Sequence, residues 1–376
     1  MITIIEKGKI SAYQMGVLMH LATVSTGVLL LPSAMYKFAQ KDLWLSLLIS
    51  SLIGFVMVFI ACKLHQYFPK KTLIEISNTL LGKIGGKVIG FIFLFLTLYI
   101  NGYIVREYSE FLITNFFDKT PITIMATSLT LVCSFAVLGG LEVIARCAQI
   151  FAPVVILLFL GIVMLQLPDM EPLNMLPVMD NGIVPILKGT IAPMGWFAEY
   201  TFISFLLPYV SDGKNAMKAG FISVLTAVLA LLIVCLVILF ILGNLTGKYL
   251  FPFMIIARYI SVADFLEHVE SIVMAIWIVG AFIKTCLYFY INVLGISQWL
   301  KLSEYRSLTL PVGLLLVILA VWEFPNLQAL INFSPVSVID KITGFIIPVL
   351  LLLLAFIYKK FSDGKQNKGS QPQKDV

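Results

Sequence analysis

Long apolar runs separated by short polar segments fill nearly the whole of this chain. An apolar run of about twenty residues is long enough to cross the hydrocarbon core of a bilayer as a helix. The pattern predicts ten membrane-spanning helices, at roughly 12–36, 43–64, 87–113, 121–139, 147–167, 187–209, 217–243, 269–297, 308–323 and 337–358. The chain is therefore expected to be an all-α membrane protein.

Three longer segments between these spans are too polar to cross a bilayer. Residues 65–86 are predicted to form a polar loop with an amphipathic helix, and residues 168–186 a long loop rich in Pro, Asp and Asn. Residues 248–267 are predicted to be a second interfacial segment. Residues 1–360 then form one bundle, and the polar tail at 361–376 is expected to be disordered.

Composition supports a membrane protein and excludes several other classes. Of 376 residues, 60% are hydrophobic and 12% charged, with a mean hydropathy of +1.00. The net charge of +6 is spread over loops and the tail, so we expect no nucleic-acid partner. The five cysteines and three histidines show no metal-ligand spacing, and no catalytic motif is present. The sequence predicts neither an enzyme nor a bound cofactor.

Basic residues predict the orientation of the bundle. On the ten-span arrangement, 17 Lys and Arg residues fall on the side of the N-terminus and 7 on the opposite side. Because Lys and Arg are concentrated in cytoplasmic loops, both termini are predicted to be cytoplasmic.

Two helix-breaking segments interrupt the apolar pattern at corresponding places. Residues 23–27 (TVSTG) lie within the first span, and residues 192–196 (APMGW) within the sixth. Non-helical backbone survives in a membrane only where it lines a cavity, and paired breaks point to a substrate site near the midplane. Two inverted five-helix repeats, about 10–167 and 187–358, with broken helices 1 and 6, are typical of LeuT-like transporters.

The first break offers hydroxyl groups and free backbone N–H groups, which suit a carboxylate. The alternative is a Gly/Ser kink packed against a neighbouring span. In the sixth span, Trp196 either gates the pocket or is a packed aromatic residue. The candidate ligand-binding residues of the two breaks are Thr23, Ser25, Thr26, Gly27, Gly195 and Trp196.

Charged residues inside the spans are the other candidates, because a charge within a bilayer needs a partner. Glu107, in the third span, shares a helix face with aromatic residues, and Glu199 lies one turn after the second break. Lys284, near the centre of the eighth span, has two interpretations. In the first, its ammonium group takes the place of the sodium ion that five-plus-five transporters hold between spans 1 and 8. In the second, it pairs with Glu107 or Glu199. The sequence leaves both open.

Several separated motifs resemble those of one family. They are residues 10–14 (ISAYQ), 27–32 (GVLLLP), 106–111 (REYSEF), 120–121 (TP) and 138–146 (LGGLEVIAR). In this order, over residues 8–360, they resemble spore germination permeases, the GerAB-type B subunits of nutrient germinant receptors in the amino acid–polyamine–organocation superfamily.

The resemblance implies a receptor in the inner membrane of a bacterial endospore. It would bind a small nutrient germinant, usually an amino acid, and act with an A subunit and a lipoprotein C subunit. The ligand-binding positions of the family correspond here to Gly27 in span 1, Tyr99 and Tyr103 in span 3, Thr201 or Phe202 in span 6, and Thr285 in span 8. The Glu that the family places on a polar path through span 3 corresponds to Glu107. The alternative functions are a proton-coupled amino-acid permease and a structural membrane scaffold.

Overall fold

The computed structural model describes residues 6–259, 269–332, 339 and 341–369, and these are almost entirely helical. The helices are α1 (Ala12–Ala39), α2 (Leu43–Tyr67), α3 (Leu73–Asn115), α4 (Ile122–Gly139), α5 (Leu141–Gln166), α6 (Ile183–Gly189), α7 (Ile191–Ala198), α8 (Ile203–Leu206), α9 (Ala216–Leu242), α10 (Pro252–Arg258), α11 (Glu270–Leu300), α12 (Thr309–Trp322), α13 (Leu327–Asn332) and α14 (Ile347–Gly369). The predicted all-α class is confirmed.

Seven stretches of the described chain are long and apolar enough to cross a membrane. One of them, residues 12–67, contains both α1 and α2. The predicted sixth span is divided into short helices, and α12 has only 14 residues. The count of ten spans, the two repeats and the orientation therefore stay predictions.

Helix boundaries differ from the predicted ones at three places. The amphipathic helix expected within 65–86 is continuous with the third span as α3, which bends at Gly82 with a φ of +72°. Helix α5 begins at Leu141, six residues earlier than expected, because Gly140 takes a φ of +91° and starts a new helix directly after α4. Helix α14 continues to Gly369, past the predicted start of the tail, and residues 370–376 lie outside the described residues.

Helix α1 is continuous, so the expected interruption at residues 23–27 is corrected. Ser25 satisfies its hydroxyl inside the helix, donating to the Ala22 carbonyl at 3.1 Å. Gly27 packs against α9, where an added Cβ would lie 2.9 Å from Leu231 Cδ2. The glycine is thus used for close helix packing, as small residues commonly are in membrane helices, and not for unwinding.

The break expected at residues 192–196 of the sixth span is corrected, because these residues lie within α7. The α-helical hydrogen bonding changes instead at Thr190, before α7, and at the 3₁₀ turn Glu199–Phe202, after it, while the backbone keeps right-handed helical angles at Thr190 and Glu199. Pro193 lies in the first turn of α7, where its missing N–H costs little because those N–H groups lack helical partners anyway. The proline therefore favours a new helix start just before itself.

The centre of the bundle is built on α1, α3, α9 and α11. Helix α1 packs against α9 and α11, and α11 packs along α3. At the α1–α11 contact, Gly280 approaches so closely that an added Cβ would lie 2.4 Å from Ser25 Cβ. This close contact brings the polar residues of α1 and α11 together in the middle of the bundle.

The segment preceding α1 is fastened across one end of the bundle. The buried carboxylate of Glu6 accepts hydrogen bonds from the Leu141 N–H at 3.3 Å and from the Tyr305 hydroxyl at 2.9 Å. Glu6 thereby joins the N-terminal segment to the start of α5 and to the loop before α12.

The same segment is also bonded to the loop between α8 and α9. Ile10 donates its N–H to Tyr209 at 3.1 Å, and its carbonyl accepts from the Ser211 N–H at 2.9 Å. Asp212 accepts the Ala12 N–H at 2.6 Å, and this hydrogen bond holds the pKa of the Asp212 carboxyl below its usual range. The hydrogen bonds of Ile10 and Ala12 therefore fix the start of α1 against the loop between α8 and α9.

We predict that Gly280→Ala destabilises the protein, because the new methyl group would push α1 and α11 apart. Overpacking of this kind costs about 1–3 kcal/mol. Gly161→Ala is the matched control, since nothing lies within 4 Å of the position of its Cβ. The measurement is thermal unfolding of the purified protein in detergent. Equal melting temperatures for the two variants would contradict the close packing described here.

Candidate functional site

A buried ion pair lies at the centre of the bundle. Lys284 Nζ of α11 is 2.7 Å from Glu199 Oε1, and the two side chains are only 3% and 5% exposed. Glu199 begins the 3₁₀ turn that follows α7, and its carboxylate reaches the ammonium group from this turn. Of the two interpretations of Lys284, pairing with Glu199 is observed.

Thr26 of α1 joins this ion pair to Trp196 of α7. Its hydroxyl oxygen accepts the indole N–H of Trp196 at 2.7 Å and the ammonium of Lys284 at 3.0 Å. A hydroxyl with both lone pairs occupied keeps its own O–H free to donate. Thr26 therefore links α1, α7 and α11 through a single oxygen atom.

Two aromatic rings flank the ammonium group of Lys284. Nζ lies 5.8 Å from the ring centroid of Trp196 and 5.9 Å from that of Tyr288. At such distances the electron-rich ring faces attract a cation, and more strongly when water is excluded. The rings help to compensate for the lost hydration of Lys284.

Glu107 of α3 is a second buried carboxylate at this site. Its side chain is almost fully enclosed, and within the described part of the chain Oε1 has no hydrogen-bond partner. If Glu107 and Glu199 are both ionised, one ammonium group faces two carboxylates, which leaves a buried negative charge uncompensated. A proton or a cationic group must supply the missing positive charge.

These side chains enclose a cavity of about 10 Å³, which is close to the space that one water molecule needs. Its lining residues are Thr26, Ile100, Tyr103, Ile104, Glu107, Trp196, Glu199 and Lys284. The cavity is therefore too small for a ligand larger than a water molecule. No group of three His, Cys, Asp or Glu side chains suited to a metal occurs in the described residues.

Six of the candidate residues come together at this cavity. They are Thr26, Tyr103, Glu107, Trp196, Glu199 and Lys284. Sequence analysis missed Ile100 and Ile104, which are apolar and carry no chemical signal. Ile100 lies three residues before Tyr103, and Ile104 lies three residues before Glu107. This helical spacing places them on the same face of α3 and could have identified them.

The other candidates lie elsewhere in the structure. Gly27 and Ser25 face neighbouring helices, as described above, and Tyr99 lies beside Glu323 near the end of α12. The ring of Phe202 packs at 4.7 Å on that of Tyr288, behind the cavity. The remaining candidates are buried but do not line it: Thr23, Gly195, Thr201 and Thr285.

Solved transporters share this fold. MHP1, a nucleobase-cation-symport-1 family transporter in a closed conformation with bromovinylhydantoin bound, matches with a TM-score of 0.69 at 11% identity, covering 93% of this chain and 78% of its own. MhsT in complex with L-phenylalanine matches with a TM-score of 0.64 at 12% identity, covering 93% of this chain and 89% of its own. The protein is an integral membrane protein with the LeuT-type transporter fold.

Sequence comparison then identifies the family. The family model described as spore germination protein matches residues 9–328, and the chain belongs to this family. Spore germination protein KB of Bacillus subtilis (strain 168) is 27% identical, covering 98% of this chain and all of the relative. Spore germination protein YndE of the same strain is 28% identical, covering 92% of this chain and 96% of the relative. Spore germination protein XB of Bacillus anthracis is 22% identical, covering 89% of this chain and 95% of the relative.

We predict that Lys284→Met destabilises the protein by about 3–5 kcal/mol, because it leaves the buried carboxylates without their cation. Glu199→Gln should destabilise it less, because Glu107 remains at the same cavity as Lys284. The double variant should cost clearly less than the sum of the two. The measurement is a double-mutant cycle from unfolding in detergent. Arg146→Met, which breaks the exposed pair of Arg146 with Glu142, is the control and should cost less than about 1 kcal/mol. Additive effects of Lys284→Met and Glu199→Gln would show that the pair is not coupled.

Proposed function

We propose that this protein is the B subunit of a nutrient germinant receptor in the inner membrane of a bacterial endospore. Membership of the spore germination protein family supports this role, and the transporter fold supports a small-molecule ligand. The observation that carries the proposal is the buried cluster of Lys284, Glu199, Glu107 and Thr26 at a central cavity.

An amino acid is the germinant class that this cluster suits best. Its carboxylate can take the place of Glu199 at the ammonium group of Lys284, with the hydroxyl of Thr26 as a further donor. Its ammonium group can pair with Glu199, which the ligand carboxylate has displaced from Lys284. Two ammonium groups then face three carboxylates, so a proton on Glu107 completes the charge balance, with or without the ligand.

Binding of such a ligand has a structural consequence. The cavity of about 10 Å³ cannot hold an amino acid without moving Trp196 or the 3₁₀ turn Glu199–Phe202. Because a ligand shifts a conformational equilibrium by its different affinities for the two states, germinant binding favours the widened bundle. In the proposed receptor, the A and C subunits detect this widened state and trigger germination.

One observation favours an alternative, a proton-coupled amino-acid permease. Glu107 is buried beside an ion pair, and its Oε1 has no partner among the described residues. When the site alternates between the two sides of the membrane, a carboxylate in this position can bind a proton on one side and release it on the other. Coupled proton movement of this kind is what a permease requires.

We predict that Thr26→Val raises the nutrient concentration for half-maximal germination about tenfold, because it removes the oxygen that accepts from Trp196 and Lys284. Thr97→Val is the matched control. Thr97 is also a fully buried threonine, but its hydroxyl bonds only within α3, to Phe93 at 2.7 Å. The measurement is germination of spores carrying each variant, at equal protein level, against amino acids, sugars and nucleosides.

Spores lacking the gene identify the nutrient for this assay. Selective loss of the response to one nutrient supports the receptor. An unchanged response to the whole panel, with and without the gene, contradicts the proposed function. A normal response of Thr26→Val, with loss in the deletion strain, contradicts the proposed site but not the receptor.

The permease is tested by uptake of radiolabelled amino acids into proteoliposomes with an inwardly directed proton gradient. If the alternative is correct, uptake follows the gradient and Glu107→Gln abolishes it, because the amide cannot carry a proton. Glu142→Gln is the control, since Glu142 is exposed at the start of α5. Specific binding without accumulation rejects the permease and favours the receptor.

A further inference from the structure

A wide groove of the described structure is separate from the ion-pair cavity. It has a volume of about 730 Å³ and lies where α1, α5 and α9 meet. Its rim includes Tyr13, Ile156 and Ile222, which are 64%, 44% and 50% exposed on the outer surface of the bundle. The groove therefore opens sideways toward the membrane.

The groove extends over only one half of the bilayer. Its lining runs from Ala12 to His20 on α1 and from Gln149 to Ile156 on α5. At a rise of about 1.5 Å per residue these stretches are about 10–12 Å long. The hydrocarbon core is about 30 Å thick, so a transmembrane helix of a partner would extend far beyond the groove. An acyl chain of a single leaflet fits this depth.

The charged residues of the groove lie at one of its ends. Lys218, Asn215 and Asp212 line the end at which α9 begins, and Pro153 and Ile222 form walls farther along. The headgroup region of a lipid would meet the first set, and its acyl chain the second. This order is that of a phospholipid whose headgroup lies at the end of the bundle where α1 starts.

The charge at the polar end favours an anionic headgroup. Lys218 is exposed, and no carboxylate of the described residues forms an ion pair with it. Asp212 is already engaged by the Ala12 N–H at 2.6 Å and by the Asn215 amide at 3.2 Å. Lys214, four residues before Lys218, adds a second positive charge close by. Basic sites between membrane helices bind anionic lipid headgroups in this way.

Farther inside, the polar groups of the groove are satisfied by the protein itself. His20 and Thr226 share a hydrogen bond of 3.0 Å, and the Ser223 hydroxyl donates to the Gly16 carbonyl at 2.7 Å. These polar side chains therefore already have hydrogen-bond partners, and a hydrocarbon chain can pack in the inner part of the groove without leaving them unpaired.

We propose that the groove between α1, α5 and α9 binds one anionic phospholipid, with its phosphate at Lys218 and an acyl chain along Pro153 and Ile222. The bound lipid fills the space beside the first half of α1, the helix that carries Thr26. It thereby supports α1 from the membrane side. The proposal is independent of which nutrient the central site binds.

The test uses the purified full-length chain in detergent, with phosphatidylglycerol or phosphatidylcholine of the same acyl chains. Native mass spectrometry measures the lipid retained, and thermal unfolding measures its stabilising effect. We expect the unaltered protein to retain phosphatidylglycerol preferentially. Lys218→Glu should lower this retention by about fivefold or more, without changing that of phosphatidylcholine. Lys83→Glu is the control, since Lys83 is exposed at the bend of α3 and does not line the groove.

A second pair of variants tests the groove itself. Ile222→Trp fills it and should reduce retention of both lipids. Leu225→Trp adds the same bulk to a half-exposed position of α9 outside the groove and should leave retention unchanged. Equal retention of both lipids by the unaltered protein would overturn the proposal. So would equal effects of Lys218→Glu and Lys83→Glu, or of Ile222→Trp and Leu225→Trp.

Discussion

The ion pair of Lys284 with Glu199 is the interaction on which the centre of this protein depends. A lone ammonium group in the middle of a membrane bundle is so costly that the surrounding helices must be arranged to give it a partner. The 3₁₀ turn after α7 supplies the carboxylate, α1 supplies the hydroxyl of Thr26, and α11 supplies Lys284 itself. Three helices from distant parts of the sequence are thereby fixed relative to one another.

The same arrangement explains why the centre can respond to a ligand. Glu107 adds a carboxylate that the single ammonium group does not fully compensate, so the cluster needs an added proton or cation, and a charged ligand changes which of its groups are paired. The cavity is small, and therefore charge compensation and expansion must occur together. A site built in this way is sensitive to the charges of a ligand at least as much as to its shape.

Much of this centre was accessible from the sequence, for a physical reason. Glu107, Glu199 and Lys284 were predicted to face the interior because burying a charge in lipid is expensive wherever the residue lies. The backbone at residues 23–27 was predicted less well. Whether a Gly/Ser segment unwinds depends on its neighbours, and the contact of Gly27 with Leu231 of α9 is not visible in a single sequence. The position of Tyr99 beside Glu323 likewise depends on the packing of α12.

The N-terminal segment has a consequence for the order in which the protein is made. Ala12 bonds to Asp212, 200 residues later, and Glu6 bonds to Tyr305, 299 residues later. The ribosome therefore releases this segment long before its partners exist. Ala12 has to wait for Asp212 until α2 to α8 have been made, and Glu6 has to wait for Tyr305 until α11 has been made as well. This segment is thus made long before it reaches its final place, and this end of the bundle closes only after Tyr305 has been synthesised.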